Sequence, residues 1–366
     1  MQVCADVLVV GAGLAGSVMA RCLAEAGAVV VVLERQAGPG GLAEDALDEA
    51  GRRVHRYGPH VFHTNDDQVM AFLSRFTAWQ PYVHRVLARV GERLLPFPIN
   101  RQTINRLYDL DLDPAGVERF LTARRQHHVP AATAAEVALD GVGPELYELF
   151  YRAYSRKQWG VEATCLPPEV IARIPVRYDD DDRYFTDRFQ GLPEAGYQGL
   201  CRRLLDHPSI TCHWQQPYRA AEHRPWGRHL VWTGALDVLC DRIYGALPYR
   251  RVRFAISRHP DAAARQPAAV INEVTDAVPH TRTTDCAWLS PPGCTGTVLV
   301  QEFPGPEGEP CYPMPWAEGA ALAQRYRALV AGREDVTCVG RLAEYRYYNM
   351  DQVVAAALAA ARRVAA

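Results

Sequence analysis

The residues up to Glu34 contain the feature that most constrains the fold of this chain, a glycine-rich turn between a strand pattern and a helix pattern. Asp6 to Val10 is a short β-branched run, and Gly11-Ala-Gly-Leu-Ala-Gly16 follows it. A helical pattern then runs to Ala26, before a second apolar run from Val29 to Leu33. Strand, glycine turn, helix and strand in this order predict a βαβ unit with two parallel strands.

The glycines of this turn have the spacing of a dinucleotide-binding motif. Gly11 permits the tight turn, Gly13 lets the backbone approach a pyrophosphate, and Gly16 allows close helix packing. Glu34 ends the second strand, where a carboxylate can accept hydrogen bonds from ribose hydroxyls and disfavours a 2′-phosphate. The alternative is a glycine turn without a ligand. The cofactor-binding residues expected in this unit are Gly11, Gly13, Leu14, Ala15, Gly16, Glu34 and Arg35.

A second glycine pair, Gly40-Gly41, lies six residues past Glu34. A second glycine turn at this distance is typical of flavoproteins that bury FAD, whereas NAD enzymes usually lack it. We therefore expect FAD as the cofactor, with Gly40, Gly41 and Leu42 close to it. The alternative is an ordinary surface turn at Pro39-Gly40.

The length and charge of the chain limit its architecture and its partners. A chain of 366 residues is longer than one compact core usually holds, so two or three domains sharing a cleft are expected. The 40 Lys and Arg against 42 Asp and Glu give a net charge of -2 without a basic tail, so nucleic acid is not an expected partner. No stretch approaches the roughly 20 apolar residues of a membrane span. The N-terminus lacks the pattern of a signal peptide, so we expect a cytoplasmic protein.

The ten cysteines of the chain run from Cys4 to Cys338. They form no CxxC pair and no cluster with histidines at zinc spacing. We therefore expect reduced thiols and no metal site.

Helical patterns dominate two later parts of the chain. Apolar residues recur at helical spacing in 67–77, 113–124 and 143–154, which predicts a helical insertion after the βαβ unit. Near the end, Val336 to Val339 reads as a strand and Asp351 to Val364 as a helix. These two elements predict that the C-terminus returns to complete the first domain.

Short β-type runs separated by proline and glycine turns occupy residues 207–320, such as His229 to Thr233 and Thr297 to Phe303. They predict a mixed sheet. The expected fold class is therefore α/β: a Rossmann-type FAD-binding domain completed by the C-terminus, a helical insertion domain, and a mixed or antiparallel β-sheet domain.

Four longer segments carry a resemblance to a known family. They are Tyr57-Gly-Pro-His-Val-Phe-His-Thr64, Pro96-Phe-Pro-Ile-Asn100, Lys157-Gln-Trp-Gly160 and Gly340-Arg-Leu-Ala-Glu-Tyr-Arg-Tyr-Tyr-Asn-Met-Asp351. In sequence and order, along nearly the whole chain, they resemble the UDP-galactopyranose mutase family.

The resemblance implies a division of the chain into three domains. The FAD-binding domain would comprise residues 1–79, 191–235 and 321–366. A helical nucleotide-recognition domain with a mobile lid would comprise 101–176. The β-sheet substrate domain would comprise 80–100, 177–190 and 236–320.

The implied activity is an isomerase that interconverts UDP-galactopyranose and UDP-galactofuranose. In the family, N5 of reduced FAD attacks the anomeric carbon, the nucleoside diphosphate leaves, the sugar opens as an iminium, and O4 recloses it as a furanose. There is no net redox change, so NAD(P)H is expected only as a loosely bound reductant. The resemblance also implies a nucleoside-diphosphate sugar as small-molecule partner and a homodimer.

Three arginines match family positions that hold the diphosphate. A guanidinium fork suits this task, so Arg177 and Arg282 are expected to form a catalytic clamp, with Arg250 in support. The alternative for these side chains is pairing with aspartates, above all with the run from Asp179 to Asp182 beside Arg177.

Histidines and aromatic residues complete the implied substrate site. His63 would accept or relay the N5 proton, with His60 facing the flavin and His84 near the hexose. The loop between Trp159 and Arg177 would close over the substrate as a lid and bring Arg177 onto the diphosphate. The other residues that match substrate-binding positions of the family are Phe150, Tyr154, Trp159, Tyr184, Asn272, Tyr312 and Tyr347.

The last family segment is expected to meet the flavin. It would place Asn349, Met350 and Asp351 at the start of a helix, whose amides can stabilise negative charge on a reduced flavin. Arg341 and Tyr347 would contribute to the same site, and an ordinary capped helix is the alternative.

Several residues depart from the family pattern without deleting an expected catalytic group. Two alternatives stay open. The first is the same mutase chemistry on another sugar nucleotide, such as UDP-N-acetylgalactosamine or a dTDP-deoxyhexose. The second is a flavin oxidoreductase of the amine-oxidase type. A flavin-binding relative without turnover is a third. The departures are Leu42, Ala235, His280, Cys311, Ala343 and Glu344.

Overall fold

A computed structural model describes residues 5–260, 264–314 and 316–365. Cys4 lies outside these residues, and the nine described cysteines are free thiols. The strands are β1 (Ala5–Val10), β2 (Val30–Leu33), β3 (Asp45–Leu47), β4 (Arg53–His55), β5 (Phe62–Thr64), β6 (Trp79–Pro81), β7 (Val86–Val90), β8 (Arg93–Phe97), β9 (Phe189–Pro193), β10 (Ile210–His213), β11 (Gly227–Trp232), β12 (Tyr249–His259), β13 (Val270–Glu273), β14 (Arg282–Asp285), β15 (Thr297–Gly305), β16 (Glu309–Pro313) and β17 (Val336–Cys338).

The α-helices are α1 (Leu14–Glu25), α2 (Asp67–Leu73), α3 (Arg101–Tyr108), α4 (Pro114–Thr122), α5 (Ala134–Val142), α6 (Pro144–Tyr147), α7 (Ala153–Trp159), α8 (Glu169–Ala172), α9 (Gly196–Leu205), α10 (Ala220–His223), α11 (Leu236–Leu239), α12 (Ala317–Ala331) and α13 (Met350–Ala365). Single 3-10 turns cover Gly41–Ala43, Ala163–Cys165, Arg224–Trp226 and Cys286–Leu289, and a π-helical turn covers Glu148–Arg152.

A five-stranded parallel sheet contains the predicted βαβ unit. Its strand order is β10-β2-β1-β11-β17. Alternate residues of β1 enter opposite cores: Val7 and Val9 pack with α1 and α13, whereas Leu8 packs with α12. Burial on both faces explains why β1 is apolar without alternation. The C-terminal strand β17 and helix α13 complete this layer, as the sequence predicted.

A seven-stranded mixed sheet has the order β16-β12-β15-β14-β13-β7-β8. Its pairs are antiparallel except β7 with β13. Asn272 on β13 lies opposite Arg282 on β14, and Arg282 lies opposite Glu302 on β15. Opposite residues of neighbouring strands have side chains in contact range. The register of this sheet therefore brings an amide, a guanidinium and a carboxylate together.

The helices α3 to α8 form a layer between β8 and β9. Side-chain caps fix where several of them begin: Asn100 and Thr103 form a capping box at α3, and Thr133 and Glu136 form one at α5. The helical patterns of 113–124 and 143–154 are confirmed in this layer. The helix predicted in 67–77 exists as α2, but its apolar face belongs to the core of the parallel sheet rather than to the insertion.

The structure confirms the predicted α/β class. The β-type pattern of 207–320 grouped His229 to Thr233 with the mixed sheet, whereas the implied domain division placed this run in the FAD-binding domain. β11, which contains most of the run from His229 to Thr233, pairs with β1 and β17 in the parallel sheet. Thr297 to Phe303 lies in β15 of the mixed sheet, as predicted. Among the described residues, no helix combines the length and the apolar character that crossing a bilayer requires.

Candidate active site

The first glycine turn leaves the start of α1 open to an anion. Gly11 adopts a φ of 101°, and a Cβ on Gly16 would lie 1.9 Å from the carbonyl oxygen of Gly11. Among the described residues no side chain caps α1, and its first turn carries no acidic residue. Free amides at a helix N-terminus favour negative charge. The geometry therefore suits a pyrophosphate next to Gly13, Leu14 and Ala15.

The second glycine turn packs directly on the first. The amide of Gly40 donates to the carbonyl oxygen of Ala12 at 2.9 Å, and a Cβ on Gly41 would lie 3.0 Å from the Cα of Gly13. Gly40 and Gly41 both have positive φ, at 124° and 56°. Only glycines allow this approach of two turns, which leaves a narrow cradle of backbone. Leu42 follows within the 3-10 turn.

Glu34 is buried at the edge of this cradle and Arg35 points away from it. The Glu34 carboxylate accepts hydrogen bonds from the amides of Ala12 and Gln36, both at 2.8 Å. Each carboxylate oxygen keeps a further lone pair for a ribose hydroxyl. The Arg35 side chain is 61% exposed and pairs with Glu309 at 2.8 Å, so the structure does not bring it to the glycine turns.

The start of α13 lies against strand β5. Oδ2 of Asp351 accepts a hydrogen bond from the Thr64 hydroxyl at 3.0 Å, whereas the buried Oδ1 has no partner in the described chain. The amide of Asn349, just before the helix, donates to the side chain of Gln352 at 3.0 Å. Arg341 donates to the carbonyl oxygen of Tyr348 at 2.6 Å. An unpaired buried carboxylate oxygen is the kind of group that a bound ligand satisfies.

A cleft of about 630 Å³ lies between the mixed sheet and the helical layer. Its walls combine aromatic rings with a few polar groups, as small-molecule sites do. Eight of the residues expected to bind substrate line this one cleft: Phe150, Tyr154, Trp159, Tyr184, Asn272, Arg282, Tyr312 and Tyr347.

Arg282 is held in the cleft by two partners. Its Nη2 donates to the Tyr154 hydroxyl at 2.7 Å, and its Nε lies 3.5 Å from the carboxylate of Glu302. Burial opposes the charge of Arg282, but Glu302 and nearby phenols outweigh it and raise its pKa well above the usual value. Burial raises the pKa of Glu302, and Arg282 opposes this rise. The guanidinium is thus a fixed cation at the cleft wall.

Lys157 of the Lys157-Gln-Trp-Gly160 segment fixes the loop between β13 and β14. Its Nζ, which carries three N–H donors, lies within hydrogen-bonding distance of four carbonyl oxygens, at 2.7 to 3.2 Å. The Lys157 ammonium therefore holds in place the loop that connects Asn272 to Arg282. The four carbonyl oxygens belong to Glu273, Thr275, Val278 and His280.

Arg173 is the cation that sequence reasoning missed. It follows α8 and lines the cleft, where its Nη1 donates to the Tyr347 hydroxyl at 2.6 Å and its guanidinium lies 4.6 Å from the centre of that ring. Desolvation opposes ionisation of Tyr347, but Arg173 and Arg341 together lower its pKa. A signal was present in the sequence: Arg173 is the only basic residue between Trp159 and Arg177.

Arg177 does not line the cleft in this structure, and its predicted place in the clamp after lid closure stays a prediction. It is 9% exposed, and its Nη1 donates to the carbonyl oxygens of Asp181 and Arg183 at 3.1 and 2.6 Å. Its own amide donates to the carbonyl oxygen of Ile99 at 3.0 Å. Arg177 therefore anchors the end of the lid to the rest of the chain.

Arg250 likewise donates its hydrogen bonds to backbone carbonyl oxygens, at the other end of the predicted lid. Its guanidinium donates to the carbonyl oxygens of Lys157 and Gln158, both at 2.8 Å, and of Pro304 at 3.1 Å. It lies against Gly160, where the lid begins. Arg250 does not line the cleft, and its predicted supporting contact with the diphosphate stays a prediction.

Replacement of Arg177 by alanine is expected to lower the free energy of unfolding by about 1–2 kcal/mol, because the part-buried carbonyl oxygens of Asp181 and Arg183 lose their donor. Arg183 provides the control, since its side chain is 44% exposed and pairs with Asp181 at the surface. Its replacement by alanine should cost roughly 0–1 kcal/mol. Chemical denaturation of both variants measures the difference, and equal stabilities would contradict the anchoring role.

A second cleft of about 600 Å³ adjoins the first and shares Arg173, Ile174 and Tyr184 with it. His63 and Asn349 line this cleft. Nδ1 of His63 lies 2.7 Å from the carboxylate of Asp187, a residue that the sequence did not single out.

His60 and His84 lie beneath the clefts rather than in their walls. Nδ1 of His60 donates to the carbonyl oxygen of Gly58 at 2.9 Å, and burial lowers its pKa to about 3. His84 is 5% exposed, its Nδ1 has no partner in the described chain, and burial lowers its pKa to about 3. The ring of His84 lies 5.7 Å from that of Tyr184. Both histidines are neutral around pH 7.

Comparisons with known proteins identify the family of the chain. The family model for UDP-galactopyranose mutase matches residues 149–347, and a model of NAD(P)-binding Rossmann-like domains matches residues 9–76. A probable UDP-galactopyranose mutase of Klebsiella pneumoniae is 35% identical over 96% of this chain and 93% of its own. The chain belongs to the UDP-galactopyranose mutase family. It is an enzyme of the mutase class, and this membership weighs against an amine-oxidase type.

Other members and structures extend the likeness. A dTDP-fucopyranose mutase of Escherichia coli is 33% identical over 97% of this chain and 97% of its own length. A crystal structure of reduced UDP-galactopyranose mutase has a TM-score of 0.77 at 19% identity, covering 98% of this chain and 95% of that one. This structural likeness supports the fold of the mutase.

This mutase is expected to lose stability in acid because of His55, His60 and His84. Burial lowers the pKa of each to about 3, whereas an unfolded histidine titrates near 6.5. Between these values the unfolded chain binds more protons, so the free energy of unfolding should fall by about 1.4 kcal/mol per histidine for each pH unit of acidification. That stability is fully present above about pH 6.5.

Denaturation of the wild type and of His84→Phe at about pH 7 and about pH 4.5 tests this linkage. The phenylalanine keeps an aromatic ring beside Tyr184 and Phe185. The variant should lose less stability on acidification than the wild type. Parallel pH dependences would contradict the assignment of a buried neutral His84.

Proposed function

We propose that this mutase interconverts the pyranose and furanose forms of a nucleoside-diphosphate hexose, with UDP-galactose as its substrate. The observation that carries the proposal is the pair of guanidiniums in one aromatic cleft. Arg282 bonds Tyr154 and Arg173 bonds Tyr347, so two fixed cations line the same space. Two cations with phenol donors suit a diphosphate that must leave and return.

The cofactor cradle fits FAD. Two glycine turns in contact, an uncapped α1, a buried Glu34 and an unpaired oxygen of Asp351 would hold its dinucleotide and flavin parts. When bound in the reduced state, FAD would supply a nucleophilic N5 for covalent catalysis. NAD(P)H would serve as a transient reductant.

The remaining cleft residues would bind and orient the sugar nucleotide. Phe150, Tyr154 and Trp159 offer aromatic faces for the base, and Asn272 offers an amide that makes no side-chain hydrogen bond in the described structure. The lid segment, through Ile171 and Arg173, covers the cleft and would exclude water from it.

A dTDP-deoxyhexose is the second candidate substrate. The Escherichia coli relative named as a dTDP-fucopyranose mutase is 33% identical to this chain, close to the 35% of the Klebsiella protein. These two sequence identities therefore do not decide whether the substrate carries UDP or dTDP. The same cleft and the same reaction would serve either substrate.

The test is an anaerobic assay of the purified protein with dithionite. UDP-galactofuranose, UDP-galactopyranose and the dTDP-fucose pair are incubated separately, and their interconversion is followed by chromatography. Conversion of the galactose pair only with reduced enzyme is the expected result. Conversion of the dTDP pair alone would reassign the substrate, and full activity with oxidised flavin would contradict the proposed use of FAD. A cytoplasmic homodimer stays a prediction.

A further inference from the structure

The ring of His63 is fixed in one orientation at the wall of the second cleft. His63 lies on β5 opposite Gln190 of β9. Its ring stacks on Phe185, with centroids 3.6 Å apart and planes at 14°. Nδ1 lies 2.7 Å from Oδ2 of Asp187, and the side chain is 11% exposed. Strand pairing, stacking and a short hydrogen bond together exclude rotation of the ring.

Asp187 is itself held by neighbouring groups. Its Oδ1 accepts a hydrogen bond from Nδ2 of Asn65 at 2.7 Å. The Asn65 side-chain amide is fixed in this orientation, because its Oδ1 accepts a hydrogen bond from the backbone amide of Arg188 at 2.8 Å. A flipped amide would lose this hydrogen bond and the one to Asp187. Gln190 also donates to the carbonyl oxygen of Asp187 at 3.3 Å. One carboxylate oxygen is thus committed to Asn65 and the other to His63.

This arrangement determines the tautomer of His63. An ionised carboxylate only accepts hydrogen bonds, so Nδ1 must carry the proton of the neutral ring. Nε2 is then left with a lone pair, and it has no hydrogen-bond partner among the described residues. The charged groups that line this cleft with His63 are Arg173 and Asp187.

We infer that Asp187 is a positioning residue for His63: it fixes the Nδ1–H tautomer so that Nε2 can take up a proton in the cleft, and it stabilises the resulting imidazolium. The inference rests on the proposed function, because ring contraction moves a proton. The pyranose ring oxygen gains a hydrogen, and the hydroxyl that closes the furanose loses one. Nε2 takes a proton and returns it within each turnover, while Nδ1–H stays on the ring and Asp187 remains ionised.

Asp187→Asn tests the inference most directly, because the surrounding hydrogen bonds fix the orientation of the new side-chain amide. The asparagine oxygen must face the donor Nδ2 of Asn65, so its own NH2 group must face Nδ1 of His63. Nδ1 then becomes an acceptor, and the proton moves to Nε2. The variant keeps the size of the side chain while reversing the tautomer.

The measurement is the 15N spectrum of histidine-labelled, oxidised, FAD-loaded enzyme without substrate, with His63 assigned from a His63→Gln spectrum. The wild type is expected to show a protonated Nδ1 and an unprotonated Nε2. Asp187→Asn should exchange the two signals, and Asp187→Glu should restore the wild-type pattern. Asp67→Asn is the matched control, since Asp67 is 86% exposed and pairs only with Arg188.

Kinetics of the reduced enzyme provide the second readout. Asp187→Asn should lower kcat roughly 10- to 100-fold and leave KM little changed. The expected loss is a part of the rate enhancement that a positioned general base contributes. A wild-type His63 protonated at Nε2, or an Asp187→Asn variant with unchanged tautomer and unchanged kcat, would overturn the inference. A wild type with the Nδ1–H tautomer but no mutase turnover would overturn the proposed function, and would still support the tautomer assignment.

Discussion

Replacement of Arg173 by alanine is expected to lower kcat of the mutase roughly 10²- to 10³-fold, the loss typical when one fixed donor to developing negative charge is removed. In the structure, Arg173 reaches from the lid to the Tyr347 hydroxyl at 2.6 Å. As the diphosphate departs from the sugar its charge grows, so a cation held at the cleft should stabilise the transition state more than the ground state. The effect should therefore fall on kcat more than on KM.

Steady-state assays of the reduced enzyme test this expectation. Arg156→Ala is the matched control, because Arg156 lies in the same helical layer but is 44% exposed and pairs with Glu162 and Asp276 away from the cleft. It should keep near wild-type turnover. If Arg177→Ala lost as much kcat as Arg173→Ala at equal stability, the placement of the clamp at Arg173 would be wrong.

Replacement of Arg282 by alanine should cost both activity and stability. It removes the second cation of the cleft and leaves the carboxylate of Glu302, which is 2% exposed, without its counter-ion. Breaking a buried ion pair in this way typically costs about 3–5 kcal/mol. A quarter of the Arg282 side chain is exposed, so we expect about 3 kcal/mol, the lower end of that range.

The double variant Arg282→Met, Glu302→Gln separates the two effects. It removes both charges while keeping similar volumes, so the free energy of unfolding should recover most of the loss. Turnover should stay low, because the diphosphate still lacks the cation of Arg282 and keeps only that of Arg173. Denaturation and anaerobic assays measure the two quantities, and recovery of turnover in the double variant would show that Arg282 acts only on stability.

Local sequence patterns were sufficient to predict the βαβ unit that carries the first glycine turn. The run from Asp6 to Val10, the glycines and Glu34 are close in sequence, so their spacing alone predicts a βαβ unit, and the structure contains it as β1, α1 and β2. The substrate cleft was found in large part because the resemblance supplied its residues. Spacing alone would have assigned Phe150, Tyr154 and Trp159 to a helix core.

Sheet membership was harder to predict. A short apolar strand has the same pattern whichever sheet it joins, so the β-type pattern of 207–320 grouped the run from His229 to Thr233 with the mixed sheet. The domain division that the resemblance implied placed the same run in the FAD-binding domain, and β11 pairs with β1. The same holds for Asp187 and His63, which are 124 residues apart and meet only because β5 pairs with β9. Contacts of this kind leave no local signature.

The sequence by itself determined the glycine-turn cradle, the succession of helical and β-rich segments and the family of the chain, because these depend on neighbouring residues and on ordered motifs. Only the tertiary structure showed which of two arginines lines the cleft. Arg173 and Arg177 are four residues apart in one segment, and both have the chemistry of a diphosphate ligand. The carbonyl oxygens of Asp181 and Arg183 hold Arg177 away from the cleft, and Arg173 is left to face it. A guanidinium bonds whichever acceptors the folded chain presents to it, and the positions of those acceptors depend on how the lid end is anchored.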